Sequence, residues 1–596
     1  MPHPAAPRIT LLREIPDDST LREQWNALVL QTHCPQVFYT YEWARAMQLA
    51  YGQSLCPLLL LGYDADHLVG VAALAAPSGG PISFLCASTG DYCDFVVSEQ
   101  NAVAFTSQVF EALRRQGYRD AVMTNVPQDS PCYARLREAA RPNSFHMYAR
   151  EAYQCAQVRL STMVSPTGEL ALPRQKMVRR SLRVMGEAGP LAMTHESQWE
   201  EVRSLLPEFF RAHVARFLFT SRISNMVRSE RRSFLNELAR LLSATGWLCL
   251  TRLKVGPRTV SWNYGFLFRG TWFLYQPTFV NDLEKYSPGF VLLSKLIEDA
   301  AGNPAVETVD LGLGAETYKS SFGNAVRRTM YVTLHRSLPK HWKEIVRYRA
   351  ARAVAAWPRA EETARNLVAK ASRFRFRVRQ SGVKSTFAWA WLRMRSWVFS
   401  REEILFFESA AGSCGSSQQA SQEGFLLQPV TYELVAEVAM QSCEDDLTLQ
   451  YLLRSARRLR QGEAEGFALV DAAGTPLHFA WATAFDPFFS VEWNASVKAS
   501  SPDCMVLFDC WTPLVEQGKG HFVSAAGLIA DKMRRAGKRL WTFSTAADTA
   551  TIREIETAGF QRRYSLVRQK VFGVQQVKGQ TPLSREKSPA EVSAST

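Results

Sequence analysis

No run of 18 or more consecutive apolar residues occurs in this sequence. A membrane-spanning helix needs about 20, so none is expected. Residues 1–13 hold prolines and arginines but lack the apolar core of a secretory signal, which points to a cytoplasmic protein. The eleven cysteines never form a Cys-x-x-Cys pair, and no Cys/His spacing suits zinc. They are expected as reduced thiols, and no metal site is expected. Net charge is also scarce outside one segment. Residues 336–401 carry 17 Lys and Arg against three acids, Glu344, Glu361 and Glu362, and this excess equals the +14 of the whole chain. Near-neutral flanks argue against a dedicated nucleic-acid protein. Any basic partner function belongs to this segment.

What is there fits a globular chain of 596 residues with roughly three or four domains. Residues 1–160 open with a helix near 21–31. A hairpin over 58–63 and 68–76 follows, turning at Asp64-Ala65-Asp66-His67. A helix over 104–116 ends at Gly117, and a strand covers 120–125. No glycine-rich phosphate loop occurs here. Asp91 and Asp94, in Asp91-Tyr92-Cys93-Asp94, suit either amine binding or turn capping, because Asp commonly bonds its own backbone in turns. In residues 161–335 a helix over 199–217 carries His213 and Arg216 on one face. A hairpin over 246–254 and 260–268 follows.

The most informative stretch runs from Trp272 to Phe322. An aromatic strand leads into the loop Tyr286-Ser287-Pro288-Gly289. Phe290, Val291, Leu292, Leu293, Leu296, Ile297 and Ala300 then continue at helical spacing until Gly302-Asn303-Pro304. A second strand ends at Gly312-Leu313-Gly314, before Glu316, Tyr318 and Lys319. A loop entering a helix leaves backbone N–H groups aimed outward, and the helix dipole adds positive potential, so the position suits a pyrophosphate. Ser287 is placed to cap this helix and Pro288 to open it. The competing reading is an ordinary strand–helix–strand unit.

These residues resemble the cellulose-biosynthesis-associated (BioF2-like) acetyltransferase-like proteins of the GNAT superfamily, relatives of FemAB-type transferases. The motifs are Tyr286-Ser287-Pro288-Gly289 with Asp310, Gly314, Glu316, Tyr318 and Lys319, and the resemblance spans roughly residues 10–335. It implies an α/β (α+β) fold of mixed sheets flanked by helices, and acyl transfer from acetyl-CoA or another acyl-CoA to an amine. On that reading Glu316 is the base, and Tyr318 or Tyr286 gives the leaving thiolate its proton. Ser287, Gly289, Phe290 and Lys319 hold the donor. Residues 1–160 are then a degenerate copy that shapes the acceptor side, and 161–335 the donor copy.

Residues 336–423 read as a basic helical connector and a Ser/Gly/Gln-rich linker. Arg373-Phe374-Arg375-Phe376-Arg377 alternates, and Trp389, Trp391 and Trp397 lie close by. The pattern suits solvated helices or an anionic membrane surface. Residues 424–573 are similar to a single GNAT domain, a third copy, with Gln517, Gly518 and Gly520 in its phosphate loop. Phe522 stands where the family has a small residue, and Asp548 and Ile555 depart from the later family pattern. Residues 574–596 are expected to be a disordered tail. The acceptor is expected to be a small or lipid-linked amine, such as an amino sugar in polysaccharide or envelope synthesis. Alternatives are aminoacyl-tRNA-dependent transfer and a non-catalytic scaffold of a membrane-bound synthase.

Overall fold

The computed structural model describes residues 7–163, 170–314, 316–355, 399–410, 424–442, 445–485, 488–490, 495–499, 501–571, 574–582 and 592–595. The fold is mixed α/β, with sheets flanked by helices as expected. The chain divides into two compact units, Met1–Arg216 with Asn225–Ala356, and Phe217–Ser224 with Trp357–Thr596.

In the first unit, β1 (Arg8–Leu12), β2 (Pro57–Asp64), β3 (His67–Ala75), β4 (Ser83–Phe84) and β5 (Val96–Val97) make an antiparallel sheet. The β2–β3 hairpin turns where the sequence places it. The helix Ala102–Arg115 lays Phe105 over Gly62 and Gly70, where an added Cβ would sit 2.7 and 2.4 Å from the ring. Glycine there makes room for the aromatic side chain.

The second sheet uses β6 (Asp120–Pro127), β7 (His146–Arg159), β8 (Leu191–Glu196), β9 (Leu248–Val255), β10 (Arg258–Phe268), β11 (Thr271–Phe279), β12 (Thr308–Asp310) and β13 (Ala325–His335). Their order is β6-β13-β7-β12-β11-β10-β9-β8. Strands β6 and β7 thus leave the first half to pair with β13 and β12 of the second. Residues on either side of position 160 share one sheet. The helix Pro288–Gly302 joins β11 to β12 and buries Val291, Leu292, Leu293, Leu296, Ile297 and Ala300. It ends with Asn303 as C-cap, as Gly302-Asn303-Pro304 predicts.

The second unit contains β14 (Phe399–Ser409), β15 (Leu426–Pro429), β16 (Glu465–Val470), β17 (Pro476–Ala484), β18 (Phe488–Ser490), β19 (Ala495–Ala499), β20 (Cys504–Trp511), β21 (Arg539–Thr545), β22 (Phe560–Val571), β23 (Val574–Pro582) and β24 (Val592–Ser595). Its main sheet runs β15-β16-β17-β20-β21-β14-β22-β23, and β18, β19 and β24 form a small one. Two expectations change here. Strand β14, read as connector, lies inside this sheet between β21 and β22, burying Ile404, Leu405, Phe406 and Phe407. Its four consecutive apolar residues mark a strand covered on both faces. Strand β23, read as disordered tail, pairs antiparallel with β22. The connector begins with a helix, Leu338–Ala355, while residues 356–398, with the Arg/Phe alternation and Trp389, Trp391 and Trp397, lie outside the described residues, as does the linker 411–423. Among the described residues no helix is long and apolar enough to cross a membrane.

Candidate active site

Strands β11 and β12 run parallel but pair at only three positions, Thr271↔Thr308, Trp272↔Val309 and Phe273↔Asp310. Beyond Phe273, β11 continues to Phe279 against β10, while the other chain turns away at Gly312. A cavity of about 470 Å³ occupies the parting. Tyr275, Gln276, Leu313, Arg231, the loop Ala87–Asp91, Asn125, Arg150 and Tyr331 line it. Residues of the first half thus form part of its wall.

Asp91 is the single carboxylate on that wall. Burial, and then the charge of Asp310, push its pKa up to about 7, while Lys319, the Leu313 N–H and Arg231 hold it down. A carboxyl poised near neutrality can take a proton and release it again. Asp310 is buried and fully engaged. Its Oδ2 accepts from Tyr92 Oη (2.8 Å) and Gln157 Nε2 (2.7 Å), and its Oδ1 from the Gly312 N–H (2.8 Å). Gly312 has φ +71°, and a Cβ there would lie 2.7 Å from Asp91 Oδ2, so the turn requires glycine on two counts. Asn125 fixes the loop from behind. Its backbone is left-handed (φ 57°), its side chain donates to Gly90 O (2.9 Å), and its carbonyl accepts from the Cys93 N–H (3.0 Å). Asn tolerates that conformation because its short side chain bonds locally.

Arg231, on the helix Ser229–Ser243, is 4% exposed. Its Nη2 donates to Tyr275 Oη (2.9 Å), and Tyr275 Oη donates to Thr89 O (2.6 Å). Asn125, Tyr275 and Arg231 were not singled out from sequence. Arg231 did leave a signal, an arginine on the apolar stripe formed with Phe234, Leu235 and Leu238.

The expected donor loop is partly closed. The Ser287 N–H donates to Glu284 O (2.8 Å) and the Phe290 N–H to Ser287 O (3.0 Å), which leaves Gly289 as the one open amide among residues 287–290. Ser287 adopts the left-handed conformation and its side chain makes no cap bond. Glu316 and Lys319 pair with each other (3.0 Å). Lys319 is 6% exposed and also donates to Leu313 O (2.5 Å), so its ammonium is turned inward and braces the Gly312–Leu313 turn. That removes it as a phosphate ligand, and it leaves Glu316 in the local ion pair. Tyr318 packs with Phe290 in the apolar cluster beneath β12, and burial lifts its pKa to about 12. Tyr286 packs in the neighbouring cluster with Val291 and Leu292. Burial lowers the His213 pKa to about 3, assisted by Arg216 and Arg231, a structural histidine. Asp94 is raised by burial to about 7 and accepts from Phe95 N–H (2.9 Å), a loop-capping contact.

The second unit repeats the parting. Parallel β20 and β21 pair only at Cys504↔Arg539, Met505↔Leu540 and Val506↔Trp541. A cavity of about 320 Å³ follows, lined by Leu507, Phe508, Phe522, Thr542, Asp548 and Ile555 among others. Gly518 and Gly520 both have positive φ (78° and 79°) with open space around them. Among the described residues the backbone N–H groups of residues 518–522 find no acceptor, so this loop is the more open of the two. Gln517 turns back onto Thr512 O (3.3 Å), and Lys519 and His521 both pair with Glu516 (3.0 and 2.9 Å). The acids of this cavity are engaged: Asp509 pairs with Arg458 and Arg454, and Asp548 caps the helix Thr549–Thr557.

No curated protein matches this chain. Three solved structures illustrate what it is similar to. FemX has a TM-score of 0.38 at 11% identity, over 55% of this chain and 98% of that one. L-PGS from Bacillus licheniformis gives 0.38 at 11%, over 56% and 96%. A tandem GNAT protein from the clavulanic acid biosynthesis pathway gives 0.31 at 11%, over 55% and 98%. Residues 174–320, which contain β8 to β12 and the helix Pro288–Gly302, match the family model described as acetyltransferase (GNAT) domain.

Proposed function

We propose that the first unit is an acyltransferase that moves an acyl group from an acyl-CoA to an amine. The observation that carries this reading is the cavity at the parting of β11 and β12, with Asp91 on its wall; Asn225, Arg231, Tyr275, Gln276 and Leu313 of its lining fall in the segment that matches the acetyltransferase model, and Asp91 comes from outside it. The amine enters as an ammonium and gives one proton to the Asp91 carboxylate. Its nitrogen attacks the thioester carbonyl carbon, the C–S bond breaks, and the thiolate takes one of the two protons left on nitrogen, the other staying on the amide. Tyr318 keeps its own proton at neutral pH, but it packs in the apolar cluster and is not among the residues lining the cavity. A positioned base contributes about 10²–10⁴-fold. Asp91 replaces Glu316 as the base because Glu316 is held by Lys319 at the surface. The test is thiol release from acetyl-CoA with a panel of amines, beside calorimetric titration with acetyl-CoA. Heat and amine-dependent release support the reading; absence of both ends it.

We further propose attachment to an anionic membrane surface through the start of the basic segment. The helix Leu338–Ala355 exposes Leu338 (51%), Trp342 (58%) and Val346 (61%), which lie four residues apart on one face. Lys340, Lys343, Arg347 and Arg349 surround them. Aromatic and aliphatic residues among cations suit the headgroup region.

A further inference from the structure

The cavity holds a buried cation, Arg231, that has no ion-pair partner among the described residues and acts on Asp91 only across the cavity, where it helps hold that carboxyl's pKa down. Its Nε and Nη1 have no hydrogen-bond partner. The groups that face it are the phenols of Tyr275, Tyr51 and Tyr264, each raised by burial and so neutral at physiological pH. A buried guanidinium without a counter-ion is costly, and a ligand anion is the partner that would relieve it. Across the same cavity stands Asp91, its only acid, and at the mouth Arg150 lies over the Tyr331 ring at 4.4 Å. An ammonium with no anion would satisfy Asp91 and leave Arg231 bare. An anion with no ammonium would do the reverse.

We propose that the acceptor is a zwitterion, an amine carrying a carboxylate or phosphate a few bonds away, with the anion on Arg231 and the amine on Asp91. This rests on the acyl-transfer reading of the same cavity and adds the chemical class of the acceptor. The bound zwitterion gives Arg231 and Asp91 each an opposite charge, so desolvation, which penalises a lone charge, favours the doubly charged ligand.

The experiment uses the full chain with acetyl-CoA and matched acceptors: glycine, β-alanine and γ-aminobutyrate for carboxylates, phosphoethanolamine for phosphate, and glycine methyl ester and ethanolamine as controls without the anion. Thiol release gives kcat/KM for each. The wild-type chain is expected to prefer an anionic acceptor over its control by about a hundredfold or more, since sites built around a polar partner reject analogues that lack it. The preferred arm distinguishes carboxylate from phosphate. In Arg231→Met the ratio is expected to collapse towards one, and in Arg231→Lys to recover in part. Equal turnover of glycine and its ester by the wild type, or a preference that survives Arg231→Met, overturns the proposal. Titration of the same acceptors without acetyl-CoA separates the two claims. Zwitterion binding that Arg231→Met abolishes supports the site even with no thiol release, whereas absence of binding and of preference refutes it. Arg231→Lys keeps the test open if the Met variant does not fold.

Discussion

Asp91 is a position that sequence reads two ways, and its surroundings support the proposed role as a base. The residue type allowed turn capping or amine binding. The fold places it beside the buried Asp310 in a cavity wall and lifts its pKa from 3.8 to about 7. A raised carboxyl pKa means the folded state holds a proton that the unfolded state has already lost. The stability this group contributes is therefore fully present below about pH 4 and is lost as pH rises through about 7. Asp91→Asn removes that loss. Relative to wild type, the variant is expected to gain about 1–4 kcal/mol between pH 5 and pH 8, since each pKa unit is worth about 1.4 kcal/mol. Denaturant melts at the two pH values check this. An equal difference at both would contradict the shift. The inward role of Lys319 was not readable, because whether a lysine at a helix start faces solvent or a carbonyl depends on the turn before it.

Among the elements, the helix Pro288–Gly302 and both hairpins of the first unit were legible, since apolar periodicity and glycine or asparagine stops act locally. The parting of β11 from β12 was not. It is a non-local fact of register, set by which strand lies on the far side of each. The glycines of these turns make it testable. Gly312→Ala forces a Cβ against Asp91 Oδ2 with φ at +71°. It is expected to cost about 1–3 kcal/mol of stability and to lower kcat by at least tenfold. Thermal melts and thiol release check both. Gly289 carries the open amide of its loop, and an added Cβ there would approach the Phe279 ring at 3.0 Å. Gly289→Val is therefore expected to weaken acetyl-CoA binding at least tenfold in calorimetric titration, and unaltered affinity would contradict a donor site at that loop.

At the level of the whole molecule, the α/β class was legible, because strand and helix periods alternate along the chain. The share of strands was not: β6 and β7 cross to the later sheet, and β14 enters a sheet from a stretch that looked like connector. Sequence order suggests separate modules where long-range pairing builds one sheet. The exposed stripe Leu338, Trp342 and Val346 carries a prediction of its own. Trp342→Glu with Val346→Glu is expected to reduce flotation with phosphatidylglycerol vesicles at least fivefold and to leave flotation with neutral vesicles low, and unchanged flotation would contradict attachment by this face.

The central claim is that Asp91 accepts the amine proton during acyl transfer. Its most direct test is kcat/KM for thiol release between pH 5 and 9, in wild type and in Asp91→Asn. The wild type is expected to show a rise centred near pH 7. The variant is expected to lose that rise and about 10²–10⁴-fold in rate. A variant that keeps both the rise and the rate would contradict the claim.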